Sequence, residues 1–434
     1  MRTLEAVEAP AVAAEQAVED SISCAHRAQG EWAELELAER LRIVRRLRNN
    51  IAESSQELCH AFSRELVRTP ADSLTAEIMP LASACKYLEK SAARILATRR
   101  PRALRPLWLR GVELDIHREP FGVILVVGPA NYPLFLPGVQ TVQALVAGNA
   151  VVWKPGRGGA LVARLFQTLA VRAGLPSQLL VVLGEGVENA GAAISAGIDK
   201  IVFTGSLETG RSVYEKAAAA LTPVVMELSG EDPVFILNSA DLERATDALL
   251  FGLTLNGGRT CIAPRRVFVW NEVADEFYRR LNSKLGYGSH QIAVTRVGTE
   301  AKALALAAES EYALGATIFG EPEAARALAA KLNAGVVVIN DMIVPTADPR
   351  LPFGGRRSSG FGTTRGAEGL LEFTRPKAVA LQRSKRLRHL EPHPANAEHL
   401  FTAFLAASHM AGWKNRFAAY GALVRAIAGT QARG

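Results

Sequence analysis

The sequence has few of the residues that mark disulfide-stabilised or metal-binding proteins. Only 4 of its 434 residues are cysteine, and Cys24, Cys59, Cys85 and Cys261 show neither paired spacing nor histidines at metal-ligand intervals. We therefore expect no disulfide framework and no metal site. A chain of this kind is typical of a reducing, cytoplasmic setting.

The sequence also lacks the marks of a secreted or membrane-spanning chain. Residues 1–20 are acidic and rich in alanine, without the basic start and apolar centre of a signal peptide. The longest apolar run, residues 121–153, is broken early by Gly122, Gly128 and Pro133. It therefore predicts a strand, a turn, a helix and a second strand instead of a membrane span.

The positive charge is confined to one end of the chain. The formal net charge is +7, and residues 375–434 alone contain ten Lys or Arg against two Glu. The rest of the chain is nearly neutral, which disfavours a general nucleic-acid-binding protein. With 49% hydrophobic and 21% charged residues, the chain is expected to be soluble and globular, with about three domains of ~150 residues.

The pattern of apolar residues predicts an α/β fold. Helices are expected first, at residues 38–51, 56–67 and 71–99, followed by a half-exposed strand at residues 112–117. Further strands are predicted at residues 123–127, 150–153, 179–183, 201–203 and 224–228, with helices at residues 136–147, 160–173, 187–196 and 208–220 between them. Buried strands that alternate with helices predict a parallel sheet covered on both faces.

Polar residues follow four of these strands, at the edge where parallel sheets bind ligands. They are Asn131, Lys154, the glycine-bracketed turn 204–210 and Glu227. The turn opens a helix and suits a diphosphate on free N–H groups. Each also has a structural interpretation: a helix cap, a surface lysine, a turn that binds nothing and an ordinary ion-pair partner.

A glycine-rich turn precedes Cys261 within residues 256–263 and separates a predicted helix from a predicted strand at residues 266–270. Two glycines allow a tight fold, so the Cys261 N–H can point into a cleft and stabilise the oxyanion that its sulfur creates. The alternative is a buried cysteine that acts as a small hydrophobic residue. The four polar strand ends upstream favour the nucleophile.

These segments, in this order, resemble the aldehyde dehydrogenase superfamily. The resemblance covers about residues 20 to 380 and is carried by residues 120–133, 148–155, 203–206, 227–230, 256–263, 352–355 and 359–362. The Asn131-Tyr132-Pro133 sequence and the short length are most similar to the fatty and aromatic aldehyde branch.

The resemblance implies a Rossmann-like parallel-sheet cofactor domain, an α/β catalytic domain and a small β oligomerisation element. On this basis residues 1–229 form the N-terminal helices and cofactor domain, with residues 111–118 as an oligomerisation strand. Residues 230–365 form a shortened catalytic domain, residues 366–385 the other oligomerisation strand region, and residues 386–434 a basic helical tail.

The resemblance also implies a mechanism. Cys261 attacks an apolar aldehyde as a thiolate, and the Asn131 side chain and the Cys261 N–H hold the oxyanion. Hydride transfer to a nicotinamide leaves a thioester, and Glu227 is the general base for its hydrolysis.

The implied cofactor site includes one departure from the family. Lys154 would bind the adenosine ribose and Phe353 would lie near the nicotinamide, with the dinucleotide lined by Gly205, Ser206, Gly210 and Leu228. Arg157 stands where family members often have a ribose-binding Glu. A cation there suits a 2′-phosphate and favours NADP over NAD, unless Arg157 points to solvent and NAD binds.

A second departure lies in the catalytic domain. The Glu-x-Phe-Gly-Pro motif, whose Glu holds the nicotinamide ribose in the family, is missing, and only 92 positions separate Cys261 from Phe353. Several dozen residues are therefore expected to be absent. This keeps open an inactive paralogue that serves as a subunit. An acylating relative that passes the thioester to a thiol is disfavoured because Glu227 is retained.

The C-terminal region predicts an oligomerisation strand and a helical tail. Residues 371–381 resemble the family's strand used in dimer formation, and residues 383–388 form a basic cluster. Residues 400–411 and 417–427 are helical in composition, with possible anchors at Phe401, Phe404, Leu405, Trp413, Phe417 and Tyr420. The tail either docks on the partner subunit of a homodimer or attaches peripherally to an anionic membrane surface.

Overall fold

The computed structural model describes residues 11–66, 68–101, 103, 106, 109, 111–285, 292–385 and 387–431. Within this part the chain forms two compact units. One contains the described residues up to Arg99 together with Ile116–Lys377, and the other contains Arg100–Asp115 with the described residues from Ala378 onward. Both the predicted cofactor region and the predicted catalytic region lie in the first unit, so the boundary at residue 229 stays a prediction.

The first unit begins with helices that pack on one another through apolar faces. They are α1 (Ala11–Glu34), α2 (Leu37–Glu53), α3 (Ser55–Ala61), α4 (Pro70–Ser73) and α5 (Met79–Ile95). A capping box forms at the start of α4, because the Thr69 hydroxyl accepts from the Asp72 N–H and the Asp72 carboxylate accepts from the Thr69 N–H.

Two predicted helix ends are wrong. The helix predicted to residue 99 ends at Ile95, because Arg99 instead forms an antiparallel bridge with Ile116 that satisfies both backbones. The helix predicted for residues 56–67 ends at Ala61, a short 3₁₀ turn follows at Arg64–Leu66, and residue 67 lies outside the described residues.

The next elements alternate as predicted and build the first sheet. In chain order they are β1 (Val112–Pro120), β2 (Val123–Val127), α6 (Phe135–Val146), β3 (Ala150–Lys154), α7 (Ala160–Arg172), β4 (Leu180–Val182), α8 (Val187–Ser195), β5 (Lys200–Thr204), α9 (Leu207–Ala219) and β6 (Val224–Glu227). Strands β6, β5, β2, β3 and β4 lie side by side in that order and are parallel. Every residue of β2, β3 and β5 is buried, as expected for strands in a sheet covered on both faces.

A second parallel sheet follows in the chain. Its region contains β7 (Asp232–Ile236), α10 (Leu242–Thr254), β8 (Pro264–Trp270), α11 (Asn271–Leu285), β9 (Ala293–Val297), α12 (Glu300–Ala308), β10 (Tyr312–Ala313), β11 (Gly315–Phe319), α13 (Pro322–Ala329) and β12 (Val336–Ile339). The sheet order is β12, β11, β7, β8, β9, with every neighbouring pair parallel. Most of the residues that join α11 to β9 lie outside the described part.

One strand among the last elements of the chain returns to the first sheet. These elements are β13 (Arg356–Arg357), β14 (Gly360–Phe361), α14 (Gly366–Leu371), β15 (Thr374–Gln382), α15 (Ala397–His409) and α16 (Trp413–Gln431). Strand β14 pairs antiparallel with β6, and Gly360 lies opposite Glu227. This pairing carries the segment from Phe353 to Gly366 to the end of β6.

The C-terminal region has a short sheet and two helices. Strand β15 pairs with β1 in a two-stranded sheet. The strand predicted for residues 371–381 begins later, at Thr374, because Leu371 completes α14. Both predicted tail helices are present as α15 and α16, and neither they nor any other described helix is long and apolar enough to cross a membrane.

Candidate active site

Cys261 lies between α10 and β8 on a backbone that folds back sharply. Asn256, Gly257 and Gly258 all adopt positive φ angles, of 55°, 59° and 73°. Glycine tolerates this conformation, and asparagine is among the few other residues that do. The turn therefore brings Cys261 directly before the second sheet and leaves its side chain partly exposed.

The surroundings of Cys261 disfavour its thiolate. Burial raises the pKa of the Cys261 thiol, and the carboxylates of Glu227 and Asp232 raise it further. Arg365 and the Ile262 backbone N–H act in the opposite direction. Since a thiolate is the reactive form of cysteine, the charges around this thiol decide how readily it reacts.

Glu227 ends β6 and is 2% exposed. Its Oε2 accepts a hydrogen bond of 3.2 Å from the Thr364 hydroxyl, whereas its buried Oε1 has no hydrogen-bond partner. Burial raises the pKa of Glu227, and Arg365 and the Thr364 bond oppose that shift. A buried carboxyl with one unpaired oxygen and a raised pKa suits proton transfer to and from a small molecule.

Asn131 is held against the turn that carries Cys261. Its side-chain Nδ2 donates to the Arg259 carbonyl at 2.6 Å, two residues before the cysteine. The next residue, Tyr132, makes a 2.8 Å hydrogen bond between its hydroxyl and that of Thr260. The two residues predicted to hold an oxyanion therefore lie on segments that are bonded to each other.

A buried ion pair fixes the backbone of Asn131, and sequence reasoning missed it. Arg68 donates to Asn131 O at 2.6 Å, to Asn256 Oδ1 at 2.8 Å and to Glu77 Oε1 at 2.5 Å. The side chains of Arg68 and Glu77 are 3% and 0% exposed. Burial raises the pKa of Glu77, and Arg68 and the N–H groups of the α6 N-terminus oppose that shift. The only sequence signal was the capping box after Arg68, which marks a helix start and not a partner.

Arg365 is a second buried cation that the sequence did not reveal. It is 4% exposed, and its guanidinium lies 4.3 Å from the Phe353 ring centroid and 5.5 Å from that of Phe135. The Nη1 donates to the Thr346 carbonyl, and the buried Nε has no hydrogen-bond partner. Phe353 itself pairs its backbone with Thr364, the residue before Arg365.

The residues expected to bind a dinucleotide lie at the ends of β3, β5 and β6. Lys154 is 7% exposed, and burial lowers its pKa while Glu185 and Glu188 act to raise it. A Cβ on Gly205 would come within 2.7 Å of the Phe203 ring, and one on Gly210 within 2.6 Å of Leu228.

The predicted turn at residues 204–210 does open a helix. Ser206 is the N-cap of α9 and accepts from the Thr209 N–H through its side chain. A helix N-terminus, a buried lysine and glycines that admit no side chain fit the phosphates and ribose of a dinucleotide. Arg157 lies beyond β3, is largely exposed, and pairs with Glu65 at 3.3 Å.

A sequence profile described as the aldehyde dehydrogenase family matches residues 3–287 and 292–379. The chain belongs to the aldehyde dehydrogenase family. Membership indicates an oxidoreductase that acts on aldehydes with NAD or NADP, and it confirms the resemblance and the fold class drawn from the sequence.

Two curated relatives cover most of this aldehyde dehydrogenase. A protein from Methylomonas sp named 4,4'-diapolycopene aldehyde oxidase is 30% identical, over 89% of this chain and 86% of its own length. A protein from Mycolicibacterium smegmatis named putative succinate-semialdehyde dehydrogenase [NADP(+)] is 26% identical, over 85% of this chain and 84% of its own length.

Solved aldehyde dehydrogenases share the fold. A putative aldehyde dehydrogenase from Burkholderia cenocepacia has a TM-score of 0.76 at 27% identity, covering 86% of this chain and 93% of the other. The Staphylococcus aureus AldH structure has a TM-score of 0.81 at 22% identity, covering 89% and 99%. The second likeness shows the fold alone.

The alignment with the Methylomonas protein bears on the predicted deletion. It spans 462 positions, more than the 434 residues of this chain, so it includes positions where this chain has no residue. The segment in which we expect the missing motif includes residues 286–291, which lie outside the described residues. The place of the deletion in this aldehyde dehydrogenase stays a prediction.

Proposed function

We propose that this protein oxidises an apolar aldehyde, of medium or long chain or aromatic, to the carboxylic acid with NADP or NAD. The observation that carries the proposal is the buried Glu227 carboxyl, with its unpaired Oε1, which acts electrostatically on the Cys261 thiol in an aldehyde dehydrogenase fold. Cys261, Glu227 and Asn131 are the proposed catalytic residues.

The first step is attack by Cys261. Cys261 loses its proton to solvent, and the thiolate sulfur forms a bond to the aldehyde carbon, so the carbonyl oxygen becomes an oxyanion. The Cys261 backbone N–H and the second Nδ2 hydrogen of Asn131 stabilise that oxyanion. One Nδ2 hydrogen is already bonded to Arg259 O, which fixes the direction of the other.

The second step turns this thiohemiacetal into a thioester. The chemistry that a bound dinucleotide supplies is acceptance of a hydride from the thiohemiacetal carbon. As the hydride leaves, the oxyanion becomes the thioester carbonyl. Lys154 would hold the adenosine ribose, Gly205, Ser206 and Gly210 would contact the diphosphate, and Leu228 and Phe353 would line the site.

The last step releases the acid. The ionised Glu227 carboxylate takes a proton from a water molecule through Oε1. The hydroxide attacks the thioester carbon, the C–S bond breaks, and the sulfur leaves as a thiolate that is protonated again. The burial that raises the pKa of Glu227 makes it a stronger base than an exposed carboxylate.

The substrate class rests on the surroundings of the site and on one relative. Buried rings of Tyr132, Phe135 and Phe353 lie among the residues that hold Asn131 and Arg365. The Methylomonas relative is named for 4,4'-diapolycopene aldehyde, and we propose an aldehyde of comparable apolar character as the substrate of this protein. The Mycolicibacterium relative is named for succinate semialdehyde, which carries a carboxylate, and is the natural competitor to test.

Two alternative functions differ in what happens to the thioester. An acylating enzyme would pass it to a thiol, and the buried, half-satisfied Glu227 supports hydrolysis instead. A non-catalytic paralogue that serves as a subunit would form no thioester. The missing Glu-x-Phe-Gly-Pro motif supports that alternative, because a nicotinamide misplaced by ~1 Å transfers hydride poorly.

The proposed assembly is a cytoplasmic homodimer formed through β15. Residues Arg375 to Gln382 of this strand are exposed, and an isolated two-stranded sheet is marginally stable, so a second copy would extend it. Trp413 and Phe417 of α16 are 74% and 77% exposed. We propose that the partner subunit covers them, and peripheral attachment to a membrane is the competing outcome.

Vesicle co-sedimentation and light scattering separate these outcomes. A dimer that becomes monomeric on the double substitution Trp413→Ala and Phe417→Ala would support docking on the partner. A dimer that persists while anionic vesicles sediment the unaltered chain and not the double variant would favour the membrane. Neutral vesicles are the control for the contribution of charge.

A single-turnover experiment tests the catalytic proposal. Purified protein is mixed with a medium-chain aldehyde, an aromatic aldehyde or succinate semialdehyde and with NADP or NAD, and reduced dinucleotide is followed by absorbance. We expect a burst that Cys261→Ala abolishes. Dinucleotide binding without any reduced product from the three aldehydes would refute the oxidation and favour the subunit role.

A further inference from the structure

Arg365 is a buried arginine to which the proposed reaction has so far given no role. Its side chain is 4% exposed, it is enclosed by the rings of Phe353 and Phe135, and it uses Nη1 to bind the Thr346 carbonyl. A buried guanidinium is costly unless its donors are satisfied and its charge is balanced. Yet its Nε, also buried, has no hydrogen-bond partner.

The backbone of Arg365 is held in an unfavourable conformation. Its φ and ψ angles are 61° and 177°, in a region that glycine occupies almost exclusively. Such a conformation persists only where the surrounding structure enforces it. Here the enforcing contacts are the Thr364 pairing with Phe353 before it and the start of α14 after it. The strained residue therefore directly follows Thr364, whose hydroxyl donates to Glu227 of the candidate active site.

The acidic groups near Arg365 are the two that the proposed chemistry uses. Arg365 interacts electrostatically with both Glu227 and Cys261, and Glu227 is bonded to the Thr364 hydroxyl one residue away. Asp232 also faces Cys261, and the guanidinium groups of Arg265 and Arg266 face Asp232. Glu227 and Asp232 thus disfavour the thiolate of Cys261, and Arg365 favours it.

We propose that Arg365 is a positioning residue of the reaction. Its buried positive charge stabilises the thiolate of Cys261 and offsets the repulsion between that thiolate and the Glu227 carboxylate. The inference rests on the proposed role of Cys261 as nucleophile. Two negative groups in one site oppose each other, and a fixed cation that interacts with both lowers the free energy of the state in which the sulfur is ionised. The strained backbone and the rings of Phe353 and Phe135 hold that cation in place.

Alkylation of Cys261 by iodoacetamide tests this role without aldehyde or dinucleotide. The rate is measured on the full chain from pH 7 to pH 11, because burial raises the pKa of Cys261 above that of a free thiol. Modification of Cys261 is followed by peptide mass spectrometry, since Cys24 and Cys59 are also partly exposed. The readout is the midpoint of the rise in rate or, where the rise is incomplete at pH 11, the displacement of the profile along the pH axis, because the rate at one pH also depends on the intrinsic nucleophilicity of the thiolate.

The variants separate charge from shape. Arg365→Met keeps a long unbranched side chain without charge, and Arg365→Lys keeps the charge. Arg350→Met is the matched control, because Arg350 belongs to the same segment but is 79% exposed and pairs with Asp348. We expect the midpoint to rise by about one pH unit or more in Arg365→Met, a roughly tenfold loss of thiolate. Arg365→Lys should recover most of that loss, and the control should match the unaltered chain.

Several outcomes overturn the proposal. One is an unchanged midpoint in an Arg365→Met protein whose circular dichroism and melting temperature are normal. Another is an Arg365→Met effect confined to the KM of succinate semialdehyde, which would make Arg365 a ligand for a substrate carboxylate. If Arg365→Met does not fold, Arg365→Gln, which can still donate to Thr346 O, takes its place. If neither the Arg365→Met nor the Arg365→Gln protein folds, Arg365 has a structural role only, and the proposal is wrong.

The outcome also distinguishes this proposal from the proposed oxidation. A Cys261 whose alkylation depends on Arg365 in the expected way, in a protein that reduces neither NADP nor NAD, would refute the oxidation and leave the role of Arg365 intact. If the protein reduces the dinucleotide but Arg365→Met does not shift the alkylation profile, the oxidation is supported and the role of Arg365 is refuted.

Discussion

Arg68 donates a hydrogen bond of 2.6 Å to the backbone carbonyl of Asn131, and the same carbonyl accepts from the Asn256 side chain at 2.9 Å. Three distant parts of the chain meet at this one oxygen: the loop before α4, the turn after β2 and the turn that leads to Cys261. The proposed oxyanion site is therefore positioned by Arg68, a buried residue outside the proposed catalytic set.

The first prediction concerns Arg68. Arg68→Met should lower the free energy of unfolding by about 3 to 5 kcal/mol, because it leaves the Glu77 carboxylate buried without its partner. It should also slow the single-turnover burst about 100-fold through displacement of Asn131. Denaturant unfolding and stopped-flow absorbance measure the two effects.

Arg48→Met is the control for this prediction. Arg48 pairs with Glu89 at 2.6 Å on the same group of helices, but it is 28% exposed and has no bond to the candidate active site. It should cost less stability and leave the burst unchanged. Equal bursts in the Arg68 and Arg48 variants would argue against the positioning of Asn131 by Arg68.

The second prediction separates the two halves of the reaction. Glu227→Gln should retain a burst of reduced dinucleotide while the steady-state rate falls about 10²- to 10⁴-fold, because the base for thioester hydrolysis is lost. Glu231→Gln is the matched control, since Glu231 is a nearby carboxylate that is 44% exposed and bonded to Ser310. A Glu227→Gln protein with an undiminished steady state would rule out Glu227 as that base.

The third prediction concerns pH and stability. Burial raises the pKa of Asp232 to about 7, and its Oδ1 accepts from the Gly315 N–H. Between roughly pH 4 and pH 7 the folded chain keeps a proton there that the unfolded chain releases, so the contribution of this group to stability is complete at low pH and is lost as the pH rises through 7.

Asp232→Asn should remove that dependence. Relative to the variant, the unaltered chain should lose roughly 4 kcal/mol of unfolding free energy between pH 4 and pH 8. Urea unfolding at a series of pH values measures the difference between the two proteins. Parallel stability curves would show that Asp232 is ionised in the folded chain.

The fourth prediction concerns the choice of dinucleotide. We propose that Arg157 leaves its exposed ion pair with Glu65 to bind the 2′-phosphate of NADP. Arg157→Gln should then raise the KM for NADP about tenfold and leave the KM for NAD unchanged. Arg164→Gln, on the exposed face of α7, is the control and should change neither KM. If Arg157→Gln also leaves both KM values unchanged, Arg157 does not bind the 2′-phosphate, and NAD becomes the favoured cofactor.

Periodicity and strand ends identified most of the scaffold. Strand β2 has the predicted bounds, and β3, β5 and β6 differ from the predicted bounds by one residue at some ends, because their apolar runs are short and are followed by unmistakable turns. Asn131, Lys154 and Glu227 could be selected for the same reason, since the end of a buried parallel strand is where a polar residue is least expected without a role. The helix predicted to residue 99 failed because its last residues prefer a strand partner, Ile116, that lies beyond a proline-rich segment.

Arg68, Glu77 and Arg365 could not be predicted from their local sequences. Each is a charged residue whose burial is allowed only by a partner brought in by the tertiary fold, such as the α6 N-terminus for Glu77. Nothing in the residues around Arg365 distinguishes it from the exposed Arg356 and Arg357 a few positions earlier. The difference arises in the tertiary fold: Arg356 and Arg357 stay exposed on β13, whereas Arg365, after the strand β14 that pairs with β6, is buried.

The hydrogen bond from the Asn131 side chain to the Arg259 carbonyl takes away the rotational freedom of that amide. Its carbonyl oxygen cannot exchange places with its nitrogen without setting two acceptors against each other at 2.6 Å. If Asn131 holds the oxyanion as proposed, its amide has the required orientation before any aldehyde arrives. A carboxylate of the same shape, as in Asn131→Asp, would meet the Arg259 carbonyl with repulsion and should be more harmful than the simple loss of the side chain in Asn131→Ala.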